Sequence, residues 1–155
     1  MWMFNSTAFT DVPPGAHGFV YLITNTITDR KYVGRKYFTR KLSRPPLKGK
    51  KRKRVTWSES NWKEYTSSSD ELKADIDSIG IDKFSFQILH IGFSKGEVNY
   101  LEENYQHKLN VLTSLLSNGT REYYNSSIGS RKFIGVKHTS PEKSIISENS
   151  KEMFG

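Results

Sequence analysis

The sequence contains no cysteine among its 155 residues, which excludes disulfide bonds and thiolate metal sites. It also contains no apolar run long enough to span a bilayer. The first six residues lack the basic start and apolar centre of a secretion signal. We therefore expect a cytoplasmic protein that has no contact with a membrane, with a length that suits one domain.

Acidic residues are absent from residues 30–58, a stretch that holds thirteen of the 24 lysines and arginines. The remaining eleven basic residues are outnumbered by sixteen acidic ones, so the rest of the chain has a formal charge of −5. A basic stripe on an acidic body is typical of a nucleic-acid-binding surface. A disordered solvated loop or a nuclear localisation signal has the same composition. We favour nucleic acid because the stripe begins directly at a predicted strand.

Proline, glycine and charge divide the chain into three parts. Pro13-Pro14-Gly15 ends an irregular N-terminal arm, residues 1–16. The folded domain is expected over residues 17–128, with a long basic loop at 40–58 inserted in it. Residues 129–155 form a polar tail.

The order of predicted elements within the domain is β, β, α, β, α. The strands are expected near residues 18–24, 30–34 and 84–91. The first helix opens at Ser68, with Glu71 at capping-box spacing, and stops at Gly80. The second helix covers about residues 95–112. This order predicts an α+β fold in which helices flank a central three-stranded antiparallel sheet.

The second predicted helix has a carboxylate on its apolar face. Its apolar residues recur at helical spacing: Val98, Leu101, Tyr105, Leu109 and Leu112. Glu102 shares that face, where an unpaired charge is costly to bury, whereas Glu103 points nearer to solvent. Glu102 either pairs with a lysine at the rim or is a metal-binding carboxylate at the floor of a cleft, and the spacing leaves both open.

The tripeptides Phe19-Val20-Tyr21 and Tyr32-Val33-Gly34 place two tyrosines eleven residues apart on the first two strands. Together with the later elements, they resemble the paired signature of the GIY-YIG endonucleases over about residues 18–128. Phe19 and Val20 stand where the signature has glycine and isoleucine. Both tyrosines and the final glycine are present.

The resemblance implies hydrolysis of phosphodiester bonds in double-stranded DNA with one Mg²⁺ or another divalent cation and no small-molecule cofactor. Glu102 would hold the metal, although aligning on the Glu-Asn pair selects Glu103 instead. Tyr21, assisted by Tyr32, would act as the base, which requires its pKa to be depressed. Arg40 would neutralise charge in the transition state.

The remaining candidates are DNA contacts. They are Arg35, Lys36, Arg44, Lys48, Lys50, Lys51, Arg52, Lys53, Arg54 and Asn125. Arg44 is also the second choice for the catalytic arginine. Arg35, Lys36 and the metal are expected to depress the tyrosine pKa. Trp57 and Trp62 would either stack on a base or anchor the loop to the core.

Residues 135–148 resemble a short modular DNA-binding motif that follows the nuclease domain in phage-type homing endonucleases. The resemblance therefore implies a phage homing-type endonuclease, which would act in the host-cell cytoplasm if a phage encodes it. A restriction or repair nuclease of the same fold is one alternative. A DNA-binding module that has lost cleavage is the other. The oligomeric state is left open.

Overall fold

The computed structural model of the chain describes residues 1–129, which form seven strands and two α-helices. The strands are β1 (Met3–Phe4), β2 (Thr7–Ala8), β3 (Gly18–Asn25), β4 (Lys31–Tyr37), β5 (Thr39–Arg44), β6 (Arg54–Glu59) and β7 (Phe84–Gly92). The helices are α1 (Asp70–Ile79) and α2 (Lys95–Lys108). The α+β class is confirmed. The tail motif predicted at 135–148 lies outside the described residues.

The main sheet has five strands in the order β2-β1-β7-β3-β4. The three predicted strands lie together in it, because β3 pairs antiparallel with β4 on one side and with β7 on the other. The predicted number of strands and the predicted all-antiparallel pairing are nevertheless wrong. Strand β1 adds to β7 in parallel, with Met3 opposite Gln87, and β2 extends that edge.

The N-terminal arm is part of the core, so the prediction of an irregular arm is wrong. Trp2 is only 2% exposed, and its indole Nε1 donates a hydrogen bond of 2.7 Å to the carbonyl of Trp62. Its ring packs against Phe19, Tyr21 and Phe86 at centroid distances of 5.0–5.4 Å. Burying a tryptophan removes a large apolar surface from water, which holds the arm on the sheet.

The basic segment is also more ordered than expected. Strands β5 and β6 pair antiparallel along their whole length, from Thr39 opposite Glu59 to Arg44 opposite Arg54. We call β5, β6 and the connecting residues 45–53 the basic hairpin. In place of the long loop predicted at 40–58, only a connection of nine residues lies outside the strands, and it begins with Pro45-Pro46 directly after β5.

The sheet lies between the two helices because its central strand is apolar on both faces. Phe19, Tyr21 and Ile23 of β3 belong to the same core cluster as Leu72 and Ile76 of α1. The alternate residues face the other way: Val20 packs with Val33 of β4 and with Leu101 of α2. The interface between the sheet and α2 positions the site described below.

Both helices begin at side-chain caps but differ from their predicted bounds. Ser69, not Ser68, caps α1 by accepting a hydrogen bond from the amide of Leu72. Helix α2 begins after Ser94 and ends at Lys108, four residues before the predicted end, and Leu112 is exposed. Among the described residues, no helix has the length and apolarity that crossing a membrane requires.

Candidate active site

The outer edge of β4 bonds the backbone of residues 122–124 at Lys31 and is closed by side chains at Val33. Asn125 bonds the backbone of Val33 twice: its Oδ1 accepts from the amide at 3.0 Å and its Nδ2 donates to the carbonyl at 2.8 Å. Gln106 of α2 donates to the same carbonyl at 3.0 Å. The backbone between Tyr32 and Gly34 is therefore fixed at the point where the second signature tripeptide lies.

Glu102 reaches this edge from α2 and is 6% exposed, which confirms that its helix face is the buried one. Its Oε1 lies 3.5 Å from Nη1 of Arg35. Burial raises the pKa of Glu102, and the Arg35 charge opposes this rise, while Glu103 adds to it. Glu103 itself is directed toward Gly129, where an added Cβ would lie 2.9 Å from its Oε2.

Within residues 1–129, three neighbours hold Arg35 in place on β4. Its Nε donates to Oδ1 of Asn99 at 2.7 Å and to the hydroxyl of Tyr37 at 3.2 Å, and Nη1 faces Glu102. The Tyr37 hydroxyl donates to the same Asn99 oxygen at 2.6 Å. Although burial works against its charge, the hydrogen bond with Tyr37 and the Glu102 charge raise the pKa of Arg35. This arginine stays charged beside the carboxylate.

Tyr21 lies behind the site and is 1% exposed. Burial raises the pKa of its phenol well above the ordinary value, and the neighbouring Tyr32, Tyr65 and Glu102 raise it further. The expected depression of this pKa by Arg35 and Lys36 is therefore not found in the protein alone. Arg35 does interact with Tyr21, but burial, the other phenols and the carboxylate outweigh this cation.

Tyr32 is the signature tyrosine that lines the open pocket. Its ring centroid is 6.2 Å from that of Tyr21, and its hydroxyl lies 3.4 Å from Oγ of Ser68. Burial raises the pKa of Tyr32 too, but the Ser68 hydrogen bond and the Arg35 charge act in the opposite direction. The two phenols thus form a pair with one member buried and one facing the pocket.

Tyr32, Arg35 and Glu102 line one pocket of about 570 Å³, which we call the Glu102 pocket. The first turn of α1 forms the opposite wall, where Glu71 pairs with Arg30 at 2.8 Å. The pocket brings together a buried carboxylate, a charged guanidinium and a phenol at the edge of a rigid sheet. That combination can bind a cation, neutralise an anion and exchange a proton.

A second cavity, of about 440 Å³, lies on the other side of Arg35 and opens between β4 and the basic hairpin. We call it the basic hollow. Arg40 and Lys36 line it, and neither lines the Glu102 pocket. The predicted catalytic Arg40 therefore stands on β5, apart from the carboxylate, whereas Arg35, predicted as a DNA contact, stands beside it.

Asn125 lines the Glu102 pocket, but its side-chain atoms are engaged within the protein. It is 2% exposed, and both polar atoms of its side chain bond the backbone of Val33. Arg35 and Lys36 lie on β4 and are half-buried, whereas the remaining predicted DNA contacts lie on the basic hairpin and are exposed. They are Arg44, Lys48, Lys50, Lys51, Arg52, Lys53 and Arg54.

Sequence reasoning missed three residues that position the site: Tyr37, Asn99 and Gln106. Two of them carry a signal that could have been recognised. Asn99, Glu102 and Gln106 are spaced by three and four residues, which places a polar stripe along one face of α2. A polar stripe beside an apolar one on a buried helix indicates groups that need partners inside the fold.

One comparison with known proteins identifies the family of the chain. The family model described as "Putative endonuclease segE, GIY-YIG domain" matches residues 2–128. The chain therefore belongs to the GIY-YIG endonuclease family, whose domains are nucleases that act on DNA. No curated protein and no solved structure matched the chain.

The final glycine of the signature has a packing role that leads to a first prediction. A Cβ at Gly34 would lie 2.5 Å from the hydroxyl oxygen of Tyr21 and 2.9 Å from the Tyr32 ring. We expect Gly34→Ala to displace one or both phenols and to lower the free energy of unfolding by about 1–3 kcal/mol. Urea denaturation followed by circular dichroism measures this loss.

Gly96→Ala is the matched control, because no atom lies within 4 Å of its added Cβ and the residue is in α2. Replacing a helical glycine with alanine should raise the free energy of unfolding by about 0.5–1 kcal/mol. Equal effects of the two changes would show that Gly34 has no packing role at the tyrosines.

Proposed function

We propose that this protein is a metal-dependent DNA endonuclease whose catalytic centre is the Glu102 pocket. The single observation that carries the proposal is the carboxylate of Glu102, buried on the sheet face of α2 yet lining an open pocket with Arg35 and Tyr32. A buried carboxylate with a raised pKa in a cleft is typical of functional sites. The family assignment supplies the reaction class.

The donor set of the pocket fits a divalent cation bound in the manner of magnesium. No group of three or more histidine, aspartate or glutamate side chains occurs in residues 1–129 that would cage a metal. Mg²⁺ commonly uses only one or two carboxylates, with water and substrate phosphate as its other ligands. Glu102 would hold the cation. The bound cation would polarise the scissile phosphate and stabilise the leaving oxygen.

A tyrosine is the proposed proton acceptor for the attacking water. Tyr32 lines the Glu102 pocket. Tyr21 is buried behind Tyr32, and the two rings are in contact. We retain Tyr21 as the base with Tyr32 assisting, and the raised pKa of both makes ionisation the limiting requirement. Whichever phenol acts as the base must lose its proton before it can accept one.

Arg35 is better placed than Arg40 to neutralise charge on the cleaved phosphate. It lines the Glu102 pocket and is oriented by Asn99 and Tyr37. Arg40 is exposed at the rim of the basic hollow and suits a flanking phosphate. The presence of an arginine beside the carboxylate favours an active enzyme over a binding module that has lost cleavage.

The basic hairpin would bind the phosphate backbone of double-stranded DNA. Its lysines and arginines are exposed on one projecting element, and they release counterions when they neutralise phosphates. The assignment to phage homing-type endonucleases is supported by the resemblance of residues 135–148 to a modular DNA-binding motif. Phosphate contacts alone do not specify a target sequence.

The metal role of Glu102 is tested by plasmid nicking with Mg²⁺ and with EDTA. We expect Glu102→Gln to lower the nicking rate at least 100-fold, and Glu103→Gln, the neighbouring carboxylate on the same helix, to stay within about threefold of wild type. The loss of activity should be accompanied by loss of a thermal shift, since Mg²⁺ should stabilise the wild type but not Glu102→Gln.

The stability of the protein without metal should depend on pH through Glu102. Because burial raises the pKa of Glu102, this group stabilises the folded protein below the ordinary glutamate pKa, and the stabilisation is lost as the pH rises through the raised value. Mg²⁺ should offset that loss at neutral pH.

A Glu103→Gln enzyme that neither cuts nor responds to Mg²⁺, beside a normal Glu102→Gln enzyme, would reverse the assignment of the metal ligand.

The proposed roles of Arg35 and Arg40 are distinguished by measuring single-turnover cleavage rates at a saturating concentration of DNA. We expect Arg35→Gln to lower the cleavage rate about 10²–10³-fold, the usual effect of removing one group that stabilises transition-state charge. Arg40→Gln should weaken DNA binding while leaving the saturated rate within about tenfold. A large loss of saturated rate in Arg40→Gln alone would restore Arg40 as the catalytic arginine.

A tyrosine base predicts a rate that rises with pH. Because burial raises the pKa of both Tyr21 and Tyr32 above the ordinary value of about 10, the ionised fraction should increase throughout pH 6–9 without a plateau. Replacing the base with phenylalanine should lower the rate and remove the slope. If Tyr21→Phe and Tyr32→Phe both keep the slope, neither phenol is the base.

A further inference from the structure

The basic hollow combines positive charge with aromatic side chains beside the proposed catalytic centre. Among the described residues, no aspartate or glutamate lines it, and five cations do: Arg35, Lys36, Arg40, Lys41 and Lys95. Arg35 lines the Glu102 pocket as well, so the two cavities lie on either side of one guanidinium. A DNA strand that places one phosphate in the Glu102 pocket would therefore pass the basic hollow.

The cations in the hollow repel one another in the protein alone. Burial lowers the pKa of Lys36, and the charge of Arg40 lowers it further. Lys36 also has its Nζ 4.2 Å from the centre of the Tyr65 ring, which holds the ammonium near the hollow. A bound phosphate would relieve this repulsion, so the charge of the hollow matches an anionic ligand.

Trp57 provides an aromatic surface that the fold itself does not use. It is 60% exposed on β6, directly opposite Lys41 of β5, and it lines the hollow. Its indole meets no other ring in the described part of the chain, whereas Trp62 is 1% exposed and packs edge-on against the core aromatics. An exposed indole beside several cations offers a flat face on which a nucleic-acid base can stack.

We propose that the basic hollow is a nucleotide subsite, in which a base of the DNA strand next to the cleaved phosphate stacks on Trp57 while its phosphate binds Arg40 and Lys41. This inference rests on the proposed function, because the DNA strand must reach the Glu102 pocket. Since bases inside a duplex already stack on their neighbours, the subsite takes a base that has left the stack. Combined cationic and aromatic grooves bind single strands in this way.

Tryptophan fluorescence tests the subsite without any cleavage. All three tryptophans lie in the described part of the chain, and Trp2 and Trp62 are buried, so quenching by a solute reports mainly on Trp57. A twelve-nucleotide oligothymidylate, added to the full chain in EDTA, should quench this fluorescence. Inorganic polyphosphate should compete with the oligonucleotide for the cations but cause no quenching, because it has no base to stack.

Variants of Trp57 separate stacking from charge. Trp57→Ala should weaken oligonucleotide binding about 5- to 150-fold, the range observed for one stacked base, and Trp57→Phe should restore most of the affinity while showing no quenching. Val55→Ala is the matched control, since Val55 is exposed on the same face of β6 but does not line the hollow. It should bind within about twofold of wild type.

The outcomes distinguish this inference from the proposed function. The subsite is overturned if polyphosphate quenches as strongly as the oligonucleotide, or if Trp57→Ala binds and cuts DNA as the wild type does. If the oligonucleotide quenches Trp57 and Trp57→Ala loses affinity, but no variant or metal condition gives nicking, the subsite stands and the proposed endonuclease activity fails.

Discussion

The site depends on how the edge strand β4 is held at Val33. An edge strand presents unpaired amide and carbonyl groups, which normally bond water or another chain. Here Asn125 bonds both groups of Val33, and Gln106 adds a second donor to the carbonyl. Because these bonds are buried, losing Asn125 would leave the amide of Val33 unsatisfied, at a cost of about 1–3 kcal/mol. Tyr32 and Gly34 flank Val33, so the same bonds also fix the backbone of these two residues. The phenols depend on Gly34 because a side chain there would displace them.

The tyrosine–glycine geometry could be predicted only in part from the sequence. Apolar residues on both faces of β3 predict a central strand, and the short turn after it predicts an antiparallel partner. The register that places Tyr21 opposite Gly34 comes from the pairing itself. With that register, the absence of a side chain at Gly34 leaves room for the Tyr21 phenol. The assignment of Glu102 to the buried face of α2 followed from helical spacing and was correct because a helix has a fixed period.

Three features could not be predicted, since each depends on contacts between segments distant in sequence. Trp2 is buried through a hydrogen bond to Trp62, sixty residues away, so a short arm without a clear pattern became part of the core. The basic segment formed a hairpin because Thr39–Arg44 and Arg54–Glu59 pair, although its charge and prolines indicated a loop. The position of Arg35 could not be predicted because the second strand was expected to end at residue 34. Strand β4 instead continues to Tyr37, and that brings Arg35 beside Glu102.

The electrostatics of the free protein indicate what the site lacks when it is alone. On one side of Arg35, burial raises the pKa values of Glu102, Tyr21 and Tyr32, so each resists the negative charge that catalysis would require of it. On the other side, the cations of the basic hollow crowd one another, and the pKa of Lys36 falls. A divalent cation would favour ionisation on the first side, and a DNA strand would neutralise the second. Arg35 lies between them, held by Asn99 and Tyr37, so its position does not depend on either ligand. Because Arg35 is already oriented between the two cavities, a phosphate chain that bridges them would meet a cation in place.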